Sequence, residues 1–319
     1  MYDLIIVGGG AAAMSAGIYA GRKKMKVAMV AHEIGGQTAL QPEFYNYPGY
    51  IDVDGYKLIQ NMKKQVMGLE IDLKEPWRVE NVRSRKEGDR EIFAVLNEKQ
   101  EAIETRAILI ATGGRPKFLQ VKGEQEFSNK GVTYCATCDA PLFVGKQTVV
   151  VGGGNTGTEA ALLLTKYATK VYLLHRGEAL KADEITKEKI KAEGDRITVI
   201  TSALTTEIFG ANGRVTGIRY KDANPSGILE TGSGEEKELA VEGVFIAIGF
   251  SPNSALAKNL VEMNQFGEII VDPRTNMTSR QGIFAAGDVT NIPYKQTVIA
   301  AGEAAKAALA VYQWLMSQK

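Results

Sequence analysis

Two stretches of this 319-residue chain superpose, without a gap, when one is shifted by 144 positions. Val7-Gly8-Gly9-Gly10 falls on Val151-Gly152-Gly153-Gly154, and Val27-Ala28-Met29-Val30 falls on Val171-Tyr172-Leu173-Leu174. Each copy reads as an apolar strand, a tight glycine turn, a helix and a second apolar strand, the first helix running to about Arg22. Such a turn lets backbone N–H groups and the positive end of a helix dipole face a pyrophosphate, and bulky side chains do not fit at its crossing points. A single Gly8-x-Gly10-x-x-Ala13 is a weak signal, because small residues also serve plain helix-to-strand packing. Its return as Gly152-x-Gly154-x-x-Gly157 puts two dinucleotide-binding units in one chain.

Two further apolar strands with small-residue exits mark where the chain changes domain. Ile108-Leu109-Ile110-Ala111-Thr112-Gly113-Gly114-Arg115-Pro116 leaves the first unit, and Val244-Phe245-Ile246-Ala247-Ile248-Gly249 returns to it. The expected fold class is α/β, with two Rossmann-like (three-layer) dinucleotide-binding domains, the second inserted in the first. The discontinuous domain is expected over residues 1–116 and 249–319, and the inserted domain over residues 117–248. The patterning also predicts an amphipathic helix near 55–67, strands around Val79 and Phe93, and a solvated hairpin turn over the charged run 83–90. Further on it predicts a hairpin turn at Gly210-Ala211-Asn212-Gly213, an exposed loop over 224–236 and an alanine-rich helix over 296–315.

Several stretches in the first domain carry polar groups suited to a nucleotide. Glu33 lies about where an acid accepts hydrogen bonds from a ribose, with His32 the alternative at that edge. Gly35-Gly36-Gln37-Thr38 forms a close-approach loop and Asn46-Tyr47-Pro48-Gly49 a turn, each with an amide able to bond a planar ring system, although any surface turn uses Gly, Pro and Asn. Gly282-Ile283-Phe284-Ala285-Ala286-Gly287-Asp288 is a strand whose end offers Asp288 to a ribityl or ribose hydroxyl.

Both cysteines of the chain fall in Tyr134-Cys135-Ala136-Thr137-Cys138-Asp139, two residues apart and followed by a carboxylate. This is the spacing of a redox dithiol, in which proximity lowers one thiol's pKa so that a thiolate is available for exchange. Zinc would want four ligands, and beyond this pair only His32 and His175 remain, neither at finger spacing. A static staple across so short a loop removes little chain entropy. A lone pair in an otherwise cysteine-free chain fits a catalytic dithiol in a reducing compartment. The charge balance, 38 basic against 37 acidic side chains, gives no electrostatic case for nucleic acid or an anionic membrane surface. No basic n-region precedes the first strand and no long apolar run follows, so a soluble, cytoplasmic protein is expected.

A dithiol and a nicotinamide each exchange two electrons, but a thiolate does not readily accept a hydride, whereas a flavin does. Two nucleotide folds with one dithiol therefore suggest an adenine-dinucleotide flavin, a nicotinamide and a disulfide. The order of Gly8-x-Gly10, Gly35-Gly36-Gln37, Ala111-Thr112-Gly113, Cys135-Ala136-Thr137-Cys138-Asp139, Gly152-x-Gly154-x-x-Gly157 and the Gly287-Asp288 strand resembles the low-molecular-weight thioredoxin reductases over essentially the whole chain. That resemblance implies a homodimer with FAD in the discontinuous domain, NADH or NADPH in the inserted one, and a thioredoxin- or glutaredoxin-like protein disulfide as partner. It implies that Cys138 faces the flavin, that Cys135 attacks the partner and that Asp139 supplies the proton. With only two histidines, both at nucleotide strand ends, a carboxylate raised in pKa by burial is also the available acid on chemical grounds, the alternative being that Asp139 is a helix N-cap.

By the same matching, FAD would lie against Gly8, Gly10, Ala13, Glu33, Gly35, Gly36, Gln37, Asn46, Ala111, Thr112, Gly113, Gly287, Asp288, Lys295, Gln296 and Thr297. NAD(P)H would lie against Gly152, Gly154, Asn155, Thr156, Gly157, Arg176 and Lys181. A rotation about the two crossings would present nicotinamide and disulfide to the flavin in turn. The chain departs from the NADPH-dependent pattern, whose second motif ends in alanine and whose second strand is followed by an arginine cluster. Here Gly157 closes the motif and His175-Arg176-Gly177-Glu178 follows the strand, which favours NADH. The segments 139–146 and 294–306 look more like the NADH-linked reductase component of alkyl hydroperoxide reductase. Members of that family add an N-terminal dithiol domain, so any such relay is expected here as a separate protein. Rival readings are a same-fold reductase using ferredoxin or a deazaflavin, a small-molecule dithiol oxidase, and a flavin-binding redox sensor.

Overall fold

The computed structural model describes residues 1–41, 46–51, 53–223 and 235–318, so most of the loop expected over 224–236 lies outside the described residues. The chain divides into two compact units, Met1–Arg115 with Ser251–Lys319, and Pro116–Phe250. It crosses between them at Gly114–Pro116 and Phe250–Pro252, two short strands that pair with each other.

In the first unit the apolar run Tyr2–Val7 lies in a parallel sheet between Val27–Val30 and Ala102–Ile110, with Ile71–Lys74 beyond Val27–Val30. The strand Ala102–Ile110 serves two neighbours. Ile108, Leu109 and Ile110 pair in parallel with Ile283–Ala285, while its first half pairs antiparallel with Arg90–Asn97, which pairs in turn with Val79–Glu87. Both faces of the parallel strands are buried, which explains why these strands read as continuous apolar runs rather than as alternation. Leu4, Ile6, Met29, Leu109 and Phe284 pack with the helices Ala11–Arg22, Gly55–Met67 and Thr297–Ser317. Ile5, Val7, Ala28, Val30, Ile108 and Ile110 pack on the other face with Trp77, Phe93 and Val289. The alanines of the first and last helices bring the two together: Ala13, Ala16 and Ala20 share a cluster with Ala300, Ala304 and Ala307, and Ser15 Oγ donates to the Ala301 carbonyl at 2.7 Å.

Two local expectations change. The charged run 83–90 is mostly strand, since Val79–Glu87 continues through Arg83 and Arg85 and only residues 88 and 89 make the turn to Arg90–Asn97. Among the described residues its outer side pairs with no further strand, and charges there are compatible with an edge strand that must not recruit another chain. In the close-approach loop expected over 35–38, Gly36–Ala39 form a short helix.

The second unit repeats the plan. Its parallel sheet runs in the order Ile197–Ile200, Lys170–Leu174, Gln147–Val151, Gly243–Ile246 and Val132–Thr133. Val150, Val171, Leu173 and Phe245 pack against Ala160, Ala161 and Leu164 of the helix Asn155–Leu164. Val149, Leu174, Val244 and Ile246 pack against Ile208, Val215 and Ile218 of an antiparallel sheet built from Ala203–Ala211, Arg214–Asp222 and Lys237–Ala240. The three layers are therefore helices, parallel sheet and antiparallel sheet. Among the described residues no helix is long and apolar enough to cross a membrane.

Candidate active site

The two glycine turns have the same geometry. Gly8 takes φ +139° and Gly152 φ +136°, backbone that L side chains rarely adopt, and a Cβ on either would collide with a carbonyl oxygen, that of Ala111 or of Ala247. The helices that follow begin at Gly10 and Gly154, each at φ −88° with no side-chain cap, so their first amides are left for a ligand. Gly157, where the motif departs from alanine, has a local cause: a Cβ there would collide with the Gly152 carbonyl oxygen. Ala13, its counterpart in the first turn, is fully buried.

Around the first turn the structure gathers most of the residues assigned to FAD. The Gly35 amide donates to the Gly9 carbonyl at 2.9 Å, and Gly36 lies against Gly10, so close that a Cβ on it would sit 3.1 Å from the Gly10 Cα. Gln37 and Glu33 are exposed beside this contact. Asn46 Nδ2 donates to Gln296 Oε1 at 3.0 Å, and Thr297 Oγ1 lies 3.0 Å from Thr38 Oγ1, joining the second and the first polar segment, respectively, to the start of the last helix. Thr112, between Ala111 and Gly113, exchanges two hydrogen bonds with Asn253, at 2.8 and 3.0 Å. Gly287 packs on Ala12, and burial pushes the half-buried Asp288 carboxyl above the usual carboxylate range, with Lys295 pulling it down. The Lys295 ammonium pairs with Glu268 at 2.9 Å and donates to the Thr290 and Ile292 carbonyls, so its charge is engaged by the protein itself.

In the second unit the dithiol sits at a strand end. Val132–Thr133 pairs with Gly243–Ile246, Tyr134 follows, and Cys135 N-caps the short helix Ala136–Asp139. Beyond it Ala140 and Phe143 are buried, the Phe143 ring lying 4.9 Å from that of Phe245, so the turn is anchored at both ends. Cys135 and Cys138 form a disulfide with Cα atoms 5.3 Å apart. The Cys138 amide points at Cys135 Sγ, 3.2 Å away, a donor that would stabilise a thiolate on Cys135. Asp139 is not a side-chain cap for the 3₁₀ turn that starts there. Its carboxylate accepts the Thr133 hydroxyl instead, and Thr133 Oγ1 also receives the Cys135 amide at 3.2 Å. Burial raises the Asp139 carboxyl above its ordinary range, against the smaller opposing effect of the Thr133 bond. Thr133 was not singled out from sequence; it becomes visible only because a strand places it beside both groups.

A cleft of about 270 Å³ in this unit lies between the segment carrying Cys135 and the helix that follows the second glycine turn. Tyr134, Cys135, Ala136 and Thr137 form one wall, Thr156, Glu159, Ala160 and Leu163 the other, and Phe245, Ile246 and Ala247 complete the lining. Glu159 was also missed, although it lies four residues after Asn155, on the same helix face. At the turn's rim the Lys181 amide donates to the Gly153 carbonyl at 2.7 Å, and Asn155 and Asp183 exchange hydrogen bonds at 2.9 and 3.0 Å. His175 is buried with Nε2 unpartnered. Burial first, then Lys181 and Arg176, lower its pKa, so it adds no positive charge there, and the exposed Arg176 and Lys181 supply it. Among the described residues no cluster of His, Cys, Asp and Glu is gathered as a metal site.

Residues 2–308 match the family model described as pyridine nucleotide-disulphide oxidoreductase. The F component of the alkyl hydroperoxide reductase of Pseudomonas putida is 39% identical over 315 residues, covering 99% of this chain and 58% of that protein. A Bacillus subtilis protein named NADH dehydrogenase is 37% identical, covering 99% of this chain and 59% of that protein. This chain thus spans less than two thirds of the length of these relatives. Among solved structures, the thioredoxin reductase of Streptococcus pyogenes superposes with a TM-score of 0.89 at 33% identity, covering 99% of both chains.

Proposed function

Because the chain belongs to the pyridine nucleotide-disulphide oxidoreductase family, we propose that it carries electrons from NADH, through FAD and the Cys135–Cys138 pair, to the disulfide of a thioredoxin- or glutaredoxin-like protein. The observation that carries this reading is one cleft lined both by Cys135 and by the helix that starts at the second glycine turn. The turn around Gly8 and Gly10, with Gly36, Ala111 and Asp288 nearby, fits a pyrophosphate and a hydroxyl-bearing chain, because the helix that starts there has no side-chain cap and the glycines let the backbone segments approach closely. FAD bound there supplies the conversion of a hydride into an electron pair that a disulfide can take.

The protein's own steps follow from the sulfurs and the carboxyl. As the Cys135–Cys138 bond breaks, two electrons and two protons are taken up and two thiols form. The Cys138 amide favours the thiolate on Cys135, which attacks one sulfur of the partner's disulfide; that bond breaks and one partner thiolate leaves. Cys138 then attacks Cys135 Sγ in the mixed disulfide, restoring the intramolecular bond and releasing the partner's second thiolate. Asp139, raised by burial and oriented by Thr133, takes and returns the proton.

Arg176 and Lys181 are the cations at the nucleotide rim, with Glu178 on the same segment, which favours NADH over a 2′-phosphate. The similarity to the protein named NADH dehydrogenase supports the same preference. A homodimer and a cytoplasmic setting complete the reading. Steady-state turnover with an oxidised thioredoxin-fold protein tests it: kcat/KM for NADH should exceed that for NADPH by about tenfold, or about 1.4 kcal/mol. Equal or reversed values would overturn the preference, and no disulfide reduction with either nucleotide would overturn the function.

A further inference from the structure

Glu124 is 2% exposed, and its carboxylate receives three donors. The Leu119 amide donates to Oε1 at 2.9 Å, the Gln120 amide to Oε2 at 2.6 Å and the Tyr134 hydroxyl to Oε1 at 3.0 Å. A carboxyl so deeply buried is costly to desolvate unless its lone pairs are satisfied, and here three donors satisfy them. Its place is fixed from below. Gly123, at φ +83°, lies against the Ile208 carbonyl, the Ile208 amide donates to the Lys122 carbonyl at 2.9 Å, and the Phe127 amide donates to the Gly123 carbonyl at 3.0 Å. Gln120 takes φ +61°, left-handed backbone that turns two successive amides toward one carboxylate. Two of the donors thus belong to residues just inside the chain crossing. The third belongs to Tyr134, the residue before Cys135, and the Phe118 ring closes the same triangle edge-on to Tyr134 at 5.4 Å.

We propose that Glu124 is a positioning residue for the redox pair: it ties the entering segment 118–120 to Tyr134, so that the peptide carrying Cys135 is held in the geometry of the closed disulfide. The inference gives Glu124 a part in the chemistry proposed above, but its test does not need that chemistry. The disulfide constrains its own turn, whereas the dithiol is held only by its surroundings. Untying Tyr134 therefore releases more freedom in the dithiol than in the disulfide and shifts their equilibrium toward the dithiol.

The test equilibrates the whole protein with mixtures of dithiothreitol and its cyclic disulfide, in which Cys135–Cys138 gains two electrons and two protons as dithiothreitol loses them, and counts protein thiols. Glu124→Gln keeps the shape but replaces one acceptor oxygen with a donor, and Tyr134→Phe removes only the hydroxyl. Each should shift the equilibrium toward the dithiol by about threefold. The double variant should shift it no further than the larger single change, because both cut the same tie. Lys122→Ala, on the same segment but paired at the surface with Glu207, should leave it unchanged. Folded Tyr134→Phe protein with the wild-type equilibrium would overturn the proposal, even if Glu124→Gln lowered stability or failed to fold; additive shifts would overturn it too. No nucleotide or protein partner enters this measurement, so a wild-type protein that reduces no protein disulfide would sink the proposed function and leave this result to be read alone.

Discussion

The two units use one frame and arm it differently. In the first, Ile71–Lys74, Val27–Val30, Tyr2–Val7, Ala102–Ile110 and Ile283–Ala285 lie side by side in parallel; in the second, Ile197–Ile200, Lys170–Leu174, Gln147–Val151, Gly243–Ile246 and Val132–Thr133 do the same. In each case the fifth strand leads to candidate site residues. In the first unit it arrives late in the chain and leads to Gly287 and Asp288. In the second it precedes the other four and leads to Tyr134, Cys135 and Asp139. Both deliver a carboxyl that burial raises, Asp288 opposed by Lys295 and Asp139 opposed by the Thr133 hydroxyl. A carboxyl beside a cation suits a hydroxyl-binding role, and one raised beside a sulfur pair suits proton transfer.

If the division of labour is real, Cys138→Ser should separate the units most sharply. Reduction of protein disulfides should fall by about 10³-fold or more, since no second sulfur remains to resolve the mixed disulfide, while NADH-driven reduction of ferricyanide, which bypasses the sulfurs, stays near wild type. Asp139→Asn comes next, with about a 10²-fold loss in disulfide turnover and little change in ferricyanide reduction. The same substitution has a stability signature of known sign. A carboxyl raised by burial contributes full stability below its unfolded pKa and loses it as pH rises through the higher folded value. Asp139→Asn should therefore raise Tm at neutral and alkaline pH, with the advantage vanishing in acid; a lower Tm at pH 8 would mean the carboxylate is well solvated.

Alanine at Gly152 should raise the KM for NADH by about tenfold or more with FAD content unchanged, and alanine at Gly8 should do the reverse, lowering FAD content on purification. Loss of both cofactors from either variant would contradict independent turns. Arg176→Ala is the smallest change: the KM for NADPH should rise by about threefold to tenfold and that for NADH should hardly move, since only one exposed guanidinium is removed.

The turns and the dithiol could be read from sequence because each is local. Gly8-x-Gly10 and Cys135-x-x-Cys138 need only their own spacing, and the 144-residue shift exposed the two units through their first two strands. The third strands, Ile71–Lys74 and Ile197–Ile200, do not follow the same shift, and the fifth strands enter from opposite ends of their units. Thr133, Glu124 and Glu159 are placed by contacts that no periodicity announces: Thr133 at a sheet edge, Glu124 beside a loop pinned at Ile208, Glu159 in a cleft wall. The charged run 83–90 was read as a turn because a solvated edge strand and a solvated turn have the same composition. Lys295 is assigned toward the cofactor by its motif alone, and its pairing with Glu268 is a contact that spacing does not announce.

In the proposed reaction a flavin held by the first unit passes the electrons of a nicotinamide to the disulfide carried by the second. Mixing the oxidised, FAD-loaded protein anaerobically with NADH, while following flavin absorbance and counting thiols with a chromogenic disulfide, tests it most directly. The account predicts that the absorbance falls rapidly, then partly recovers as two thiols appear per chain, one pair for Cys135 and Cys138. Bleaching with no new thiols, or thiols only in the presence of dithiothreitol, would show that the flavin and the sulfur pair do not exchange electrons and would contradict the account.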